Sequence, residues 1–191
     1  MRKIIWTFGL IAGAVMSVMM LATVPFMDRI GFDKGQVIGY TTMVLSFLMV
    51  YFGIRTYRDK VAGGTVTFGR AFRVGILITI ISCVCYVATW QIIYYKVAPD
   101  FIDKYAAHTL DKAKASGASQ QELDAQRRKM DEFKEMYSNP FVNAAITFVE
   151  PFPVGLVVTL ICAGILKRKP EEEMDGMTAP LGMKVSDSGG R

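Results

Sequence analysis

The acidic side chain best placed to do chemistry in this chain is the one carried by Glu150, because Pro151 and Pro153 follow it inside a long apolar stretch, residues 141–166. A proline has no backbone N–H, so carbonyl groups about one turn earlier lose their usual partners. Broken helices occur inside membranes where they line a cavity or pack against neighbouring helices. The pattern is therefore typical of a proton or cation site, and the alternative is a structural kink in which a neutral Glu150 donates a hydrogen bond.

The depth of Glu150 in the apolar stretch indicates which side chains it could meet. It lies roughly 14 Å from the start of the stretch, near the middle of a bilayer, where an exposed charge costs about 3 kcal/mol. In the preceding apolar stretch Tyr86 lies at about 15 Å and Gln91 at about 7 Å from the same side. Tyr86 is the first candidate to meet Glu150 and Gln91 the second, and Tyr86 forms an aromatic stripe with Trp90 and Tyr94. No Lys or Arg lies at a comparable depth, so an ion pair within the membrane is not expected.

Four long apolar stretches must position these residues. The chain has 191 residues, 52% of them hydrophobic, and each stretch approaches or exceeds the roughly 20 residues that cross a bilayer as a helix. We predict an all-α integral membrane four-helix bundle with spans at about 4–27, 37–54, 74–95 and 141–166. A cleaved secretory signal is the alternative for the first stretch, but its apolar region is too long for one.

Lysine and arginine mark one side of this bundle. They occur before the first span, within the second connection and directly after the fourth span. The positive-inside rule then places both termini in the cytoplasm. This topology, together with attraction to anionic membrane lipids, accounts for the net charge of +5, so a nucleic-acid partner is not expected.

Small residues recur along the first span at Gly9, Gly13 and Ser17. Such a stripe lets another helix approach closely. The partner is either a helix of the same bundle or a second subunit in a homodimer.

The third connection is too long to be a plain loop. Helix formers on both sides of Gly117, and the capping-box pattern at Ser119 and Glu122, predict a helical hairpin at about 99–138, outside the membrane between spans 3 and 4. Folding the chain back at Gly117 brings Phe101 near Phe133 and Tyr105 near Met130. Independent mobile helices are the alternative, because the apolar seam is thin.

Residues 1–169 are therefore predicted to form the membrane domain, and residues 170–191 a disordered cytoplasmic tail rich in charged and small residues. No nucleophile, zinc-protease or nucleotide-binding motif occurs in the chain. His108 is unpaired with any cysteine, and the cysteines at 83, 85 and 162 lie within predicted spans. We expect no enzyme activity, no metal site and no cofactor.

The stretch YRDKVAGGTVTFGRAFRVGILITIISCVCYVATW at 57–90, and EPFPVGL at 150–156, resemble the bacterial membrane family called domain of unknown function 4199. The similarity covers about residues 1–168 and depends mainly on the Gly- and Phe-containing pattern at 63–72. It implies a bacterial inner-membrane location with no assigned activity.

Two functions therefore stay open. The leading hypothesis is a non-enzymatic envelope protein that binds a partner through its periplasmic hairpin or its membrane face. The alternative is a small proton- or cation-coupled transporter organised around Glu150, with Tyr86 and Gln91 as further ligands, and four spans would then suggest a dimer. A cavity that reaches Glu150 would favour the transporter, whereas a dry, fully packed core would favour the first hypothesis.

Overall fold

The computed structural model describes residues 1–168, so the tail predicted at 170–191 lies outside the described residues. The described chain is almost entirely helical. A 3-10 turn at Val24–Phe26 joins the first two helices, and a π-helical segment at Ile93–Val97 continues the fourth. The helices are α1 Arg2–Thr23, α2 Met27–Ile30, α3 Phe32–Lys60, α4 Phe68–Ile92, α5 Phe101–Ala115, α6 Gln120–Ser138, α7 Pro140–Val149 and α8 Pro151–Leu166.

Four helical segments are long and apolar enough to cross a membrane, namely Arg2–Ile30, Phe32–Lys60, Phe68–Val97 and Pro140–Leu166. This confirms the predicted fold class, a helical membrane bundle. The helices extend several residues beyond the predicted spans, because hydropathy marks only the part that lies in hydrocarbon. Helix α3, for example, ends at Lys60, just before a turn in which Gly63 has a φ of 66° and the adjacent glycine a φ of 87°.

Helix α4 is the centre of the bundle, since it packs against α1, α3, α7 and α8. The core between these helices is built from large apolar side chains with no exposed surface, Phe47, Val50, Ile54, Val74 and Ile78. Deep in this core the Thr79 and Thr159 hydroxyl groups share a hydrogen bond of 3.0 Å. Buried hydroxyl pairs of this kind stabilise helix contacts in lipid by about 0.6 kcal/mol on average.

The small-residue stripe of α1 lies against α4. A Cβ atom at Gly9 would come within 2.8 Å of the Ile81 Cβ, and one at Gly13 within 2.6 Å of the Cys85 Cβ. At the end of the stripe the Thr89 hydroxyl donates a hydrogen bond of 2.7 Å to Ser17 Oγ. The structure thus gives the stripe a partner inside the bundle, so this surface is not available to a second subunit.

Helices α5 and α6 form the antiparallel hairpin. The chain reverses at Gly117, whose φ is 82°, and the capping box between Ser119 and Glu122 starts α6. An ion pair joins Lys134 of α6 to Asp103 of α5. Because both α5 and α6 lie beyond the ends of the spans, we call this side of the bundle the hairpin side.

The hairpin packs onto the spans through a second apolar cluster. Ile102 and Tyr137 are buried there beside Met20, Trp90 and Ile93. Ile102, which the predicted seam does not include, is the buried residue of α5. In the aromatic stripe Trp90 and Tyr94 therefore face the hairpin, where they contact Phe101 and Tyr137.

Candidate functional site

The fourth span is interrupted at Glu150. Helix α7 ends at Val149 and α8 begins at Pro151, so Glu150 is the single residue between them. Its φ of −65° and ψ of −58° are helical, which means that the chain continues in nearly the same direction. The prolines at 151 and 153 cannot donate to the carbonyl groups of Thr147 and Val149, their usual partners four residues earlier. The predicted kink is thus a local loss of helical hydrogen bonds at the position of the acid.

The Glu150 carboxylate has one side-chain hydrogen bond within the described chain. The Tyr86 hydroxyl donates to Glu150 Oε2 at 3.0 Å. Tyr86 belongs to α4, and its depth in the bundle matches that of Glu150. The structure therefore brings together the first pair of residues that the sequence proposed. Among residues 1–168, no Lys or Arg forms an ion pair with Glu150.

Glu150 lines a cavity of about 610 Å³ that extends from the middle of the bundle to the hairpin. Its walls come from α1, α3, α4 and α7, and α5 and α6 cover it. A volume of this size is within the range of sites that hold drug-sized molecules. The residues around its deep end are Met16, Met43, Tyr40, Tyr86, Thr147 and Glu150.

The cavity lies on the hairpin side of the bundle, where α3 and α7 do not pack closely against each other. Helix α3 packs against α8, whereas along α7 it makes sparse contact at most. The Tyr40 side chain of α3 is 44% exposed and Val149 of α7 is 63% exposed. The deep end of the cavity is consequently bordered by a loosely packed pair of spans.

Helix α5 is attached to the start of α3 over the mouth of the cavity. The Phe32 ring lies 5.6 Å from the Phe101 ring and 5.2 Å from the His108 ring. Beside it the Lys112 ammonium donates to Asp33 Oδ1 at 2.8 Å. The partly exposed His108 ring is stacked on Phe32 because α5 lies directly above the start of α3.

A chain of hydrogen bonds connects the hairpin with α4 and α7. The Trp90 indole N–H donates to Tyr137 Oη at 2.8 Å, and Tyr137 Oη lies 3.2 Å from Thr147 Oγ1. The Gln91 amide donates to Asn143 Oδ1 at 3.0 Å. Gln91 therefore joins α4 to α7. It does not lie beside Glu150 as predicted, because its side chain bonds to Asn143, one to two turns closer to the hairpin.

No pattern in the sequence joins Tyr137, Thr147 and Asn143 in one network. The pattern of α6 assigns Tyr137 to the apolar seam of the hairpin, and its use as an acceptor for Trp90 depends on how α6 docks. Of these three residues only Asn143 stands out in the sequence, because it and Glu150 are the two strongly polar residues of the last span. Burial raises the pKa of the Tyr137 phenol, which therefore stays protonated and can act as a donor as well as an acceptor.

The hairpin side also carries an exposed set of ion pairs. The Lys104 ammonium lies 2.8 Å from Asp28 Oδ2 and 3.0 Å from Asp100 Oδ2. Hydrogen bonding to these carboxylates raises the pKa of Lys104, and the Lys104 ammonium in turn lowers the pKa of Asp100. Exposed pairs of this kind contribute little to stability, because water and salt screen the charges.

The arrangement offers little to a metal ion. Within residues 1–168, no group of three or more His, Cys, Asp or Glu side chains is placed to hold one. The oxygen atoms near Glu150 come from one carboxylate and a few hydroxyl groups, whereas calcium requires six to eight oxygen ligands. The chemistry of this site is that of a single carboxyl group in an apolar, partly aromatic cavity.

Comparison with known proteins gives one match. The family model described as "Protein of unknown function (DUF4199)" matches residues 7–168. The chain belongs to the DUF4199 family. No curated protein and no solved structure matches the chain. The match covers the hairpin and the four spans apart from the first five residues of the first one, so the cavity of this DUF4199 protein lies entirely within the family region.

Proposed function

We propose that this DUF4199 protein is a small, non-enzymatic transporter that binds a cation at Glu150 in exchange for a proton. The observation that carries the proposal is the cavity of about 610 Å³ that connects Glu150 with the hairpin side of the bundle. A carboxyl group used only for packing needs no such space. The cavity favours this function over partner binding through the hairpin, which stays a prediction.

Exchange follows from the electrostatics of the site. A carboxylate without a cationic partner is costly at this depth, so it is stabilised by either a proton or a bound cation. The Tyr86 hydroxyl donates to Glu150 Oε2 and so supports the ionised form. Without its proton or a cation, the group would carry an uncompensated charge in a low-dielectric region. Proton and cation therefore compete for one carboxyl group, which is the minimal requirement for coupled exchange.

The topology suggests where exchange occurs. The basic residues beside the termini favour a topology with both termini in the cytoplasm, and the resemblance of the chain to a bacterial membrane family supports a location in the inner membrane. The hairpin and the mouth of the cavity would then face the periplasm, and the closely packed half of the bundle would separate Glu150 from the cytoplasm. A pair of chains would supply the second half expected of a transporter.

The test is a proton-exchange assay in proteoliposomes. Liposomes with an acidic interior are diluted into a neutral buffer, and a pH-sensitive dye records proton efflux after each member of a cation panel is added outside. The panel contains sodium, potassium, lithium, tetrapropylammonium and tetraphenylphosphonium. We expect at least one cation to release protons from wild-type liposomes and not from those with Glu150→Gln.

The control is Glu135→Gln, because Glu135 is an exposed acid of α6 outside the cavity. It should behave as the wild type. The proposal is refuted if every cation of the panel leaves the gradient unchanged, or if Glu150→Gln releases protons as fast as the wild type. Folding of each variant is checked by circular dichroism before reconstitution.

A further inference from the structure

The lining of the cavity limits the kind of cation it can hold. Lys112 is the one Lys or Arg among the described residues that line the cavity, and Asp33 already neutralises it at 2.8 Å. Glu150 at the deep end has no such partner within the described chain. The deep end thus has negative character, and an anionic ligand is disfavoured there.

A small inorganic cation is poorly served by this lining. It would have to lose most of its water, and besides the Glu150 carboxylate the side-chain oxygen atoms toward the deep end are a few hydroxyl groups, those of Tyr40, Thr42, Tyr86 and Thr147. The remaining wall is built mainly from methionine and aromatic side chains. A ligand that buries its own apolar surface fits this wall, because it needs few oxygen ligands.

The apolar wall is also suited to the charge of an organic cation. Five methionines line the cavity, at positions 16, 19, 20, 27 and 43, and their flexible side chains adapt to ligands of different shape. The rings of Tyr86, Trp90, Phe133 and Tyr137 line the same space. Aromatic faces attract ammonium groups by cation–π interaction, and the attraction grows when water is excluded.

We propose that the ligand of this cavity is a hydrophobic organic cation, held with its charge beside Glu150 and its apolar groups against the methionine and aromatic wall. This inference rests on the proposed function and names the substrate class for it. The loosely packed border between α3 and α7 gives such a ligand a route from the lipid phase. Tyr40 at this border would be among the first side chains that it meets.

The test compares two ions of the same shape and opposite charge. Wild-type protein in lipid nanodiscs is equilibrated with radiolabelled tetraphenylphosphonium, and empty nanodiscs give the background from lipid. Unlabelled tetraphenylphosphonium and tetrapropylammonium should displace the label saturably. Radiolabelled tetraphenylborate is tested in separate nanodiscs, because the two ions form an insoluble salt when mixed. It should bind at least about tenfold more weakly, since its charge is repelled by the Glu150 carboxylate.

Variants then locate the site. Glu150→Gln should weaken tetraphenylphosphonium binding at least about tenfold, since the ligand loses its charged partner, and Glu150→Asp should retain most of the affinity. Glu135→Gln is the matched control and should bind as the wild type does. In a Trp6→Phe background Trp90 is the remaining tryptophan, and tetrapropylammonium should change its emission.

Three results would overturn the inference: tetraphenylborate binds as tightly as its cationic counterpart, a folded Glu150→Gln variant keeps its affinity for tetraphenylphosphonium, or neither organic cation binds above the lipid background. The comparison of the two ions needs only the wild-type protein, so it tests the inference even if the Glu150→Gln variant fails to fold. Proton release by sodium, potassium or lithium without binding of an organic cation would leave the proposed function standing and remove this substrate class. Saturable, charge-selective binding of an organic cation without proton release would support this ligand class and refute the proposed proton exchange.

Discussion

The hydrogen bond between Trp90 and Tyr137 provides a quantitative test of how the hairpin is held on the bundle. Both residues are nearly buried, with 8% and 6% of their surface exposed, and the indole N–H donates to Tyr137 Oη at 2.8 Å. Tyr137→Phe keeps the ring and removes the acceptor, so the buried N–H loses its partner. Leaving a buried donor unsatisfied costs about 1–3 kcal/mol. Water entering the adjacent cavity would bring the loss toward the lower end of that range.

The assay is reversible unfolding in bicelles by a denaturing detergent, followed by circular dichroism. Tyr105→Phe is the matched control, because Tyr105 is 42% exposed and its hydroxyl group forms no hydrogen bond within the described chain. Its free energy of unfolding should change by less than about 0.5 kcal/mol. Amide exchange in α5 and α6 should become faster in Tyr137→Phe and stay unchanged in Tyr105→Phe.

A double-mutant cycle separates the hydrogen bond from ring packing. In Trp90→Phe with Tyr137→Phe the orphaned donor is absent, so the double variant should lose less free energy of unfolding than the two single variants together. The expected coupling is about 1 kcal/mol. Strict additivity, or a Tyr137→Phe variant as stable as Tyr105→Phe, would show that this bond does not hold the hairpin in place.

Two further predictions concern packing and acid sensitivity. Gly13→Ala places a methyl group 2.6 Å from the Cys85 Cβ and should destabilise the bundle by about 1–3 kcal/mol in detergent unfolding. Gly39→Ala is the control, because a Cβ there would have nothing within 4 Å, and it should be neutral or stabilising by up to about 1 kcal/mol. Equal effects of the two variants would contradict the close approach of α1 and α4. Hydrogen bonds from the Ser119 N–H and hydroxyl lower the pKa of Glu122 below its usual 4.5. The ionised Glu122 should therefore stabilise the start of α6 fully above pH 4.5, and this stabilisation should be lost as the pH falls through the lower pKa of the folded state. Amide exchange at the start of α6 should therefore become faster in acid. If the Glu122→Gln variant showed the same acid-dependent increase as the wild type, Glu122 would not be its cause.

The candidate site follows only in part from the sequence. Depth along a span comes from counting residues at a fixed rise, so residue counting alone is enough to pair Glu150 with Tyr86. The same counting misplaces Gln91, because it gives depth but not the direction in which a side chain faces. The Gln91 amide lies against Asn143, a contact that depends on the rotation of α7 about its own axis.

The sequence by itself determined the membrane-spanning helices and the hairpin, because these follow from local properties: apolar length, glycine and proline, and the capping box. Only the tertiary structure decided which partner the Gly9 and Gly13 stripe takes, where the hairpin docks, and whether Glu150 meets empty space. Those features depend on how tightly two distant segments pack, as in the close contact of α3 with α8 and its sparse contact with α7. A cavity is the volume left between helices, and no local pattern of residues encodes it.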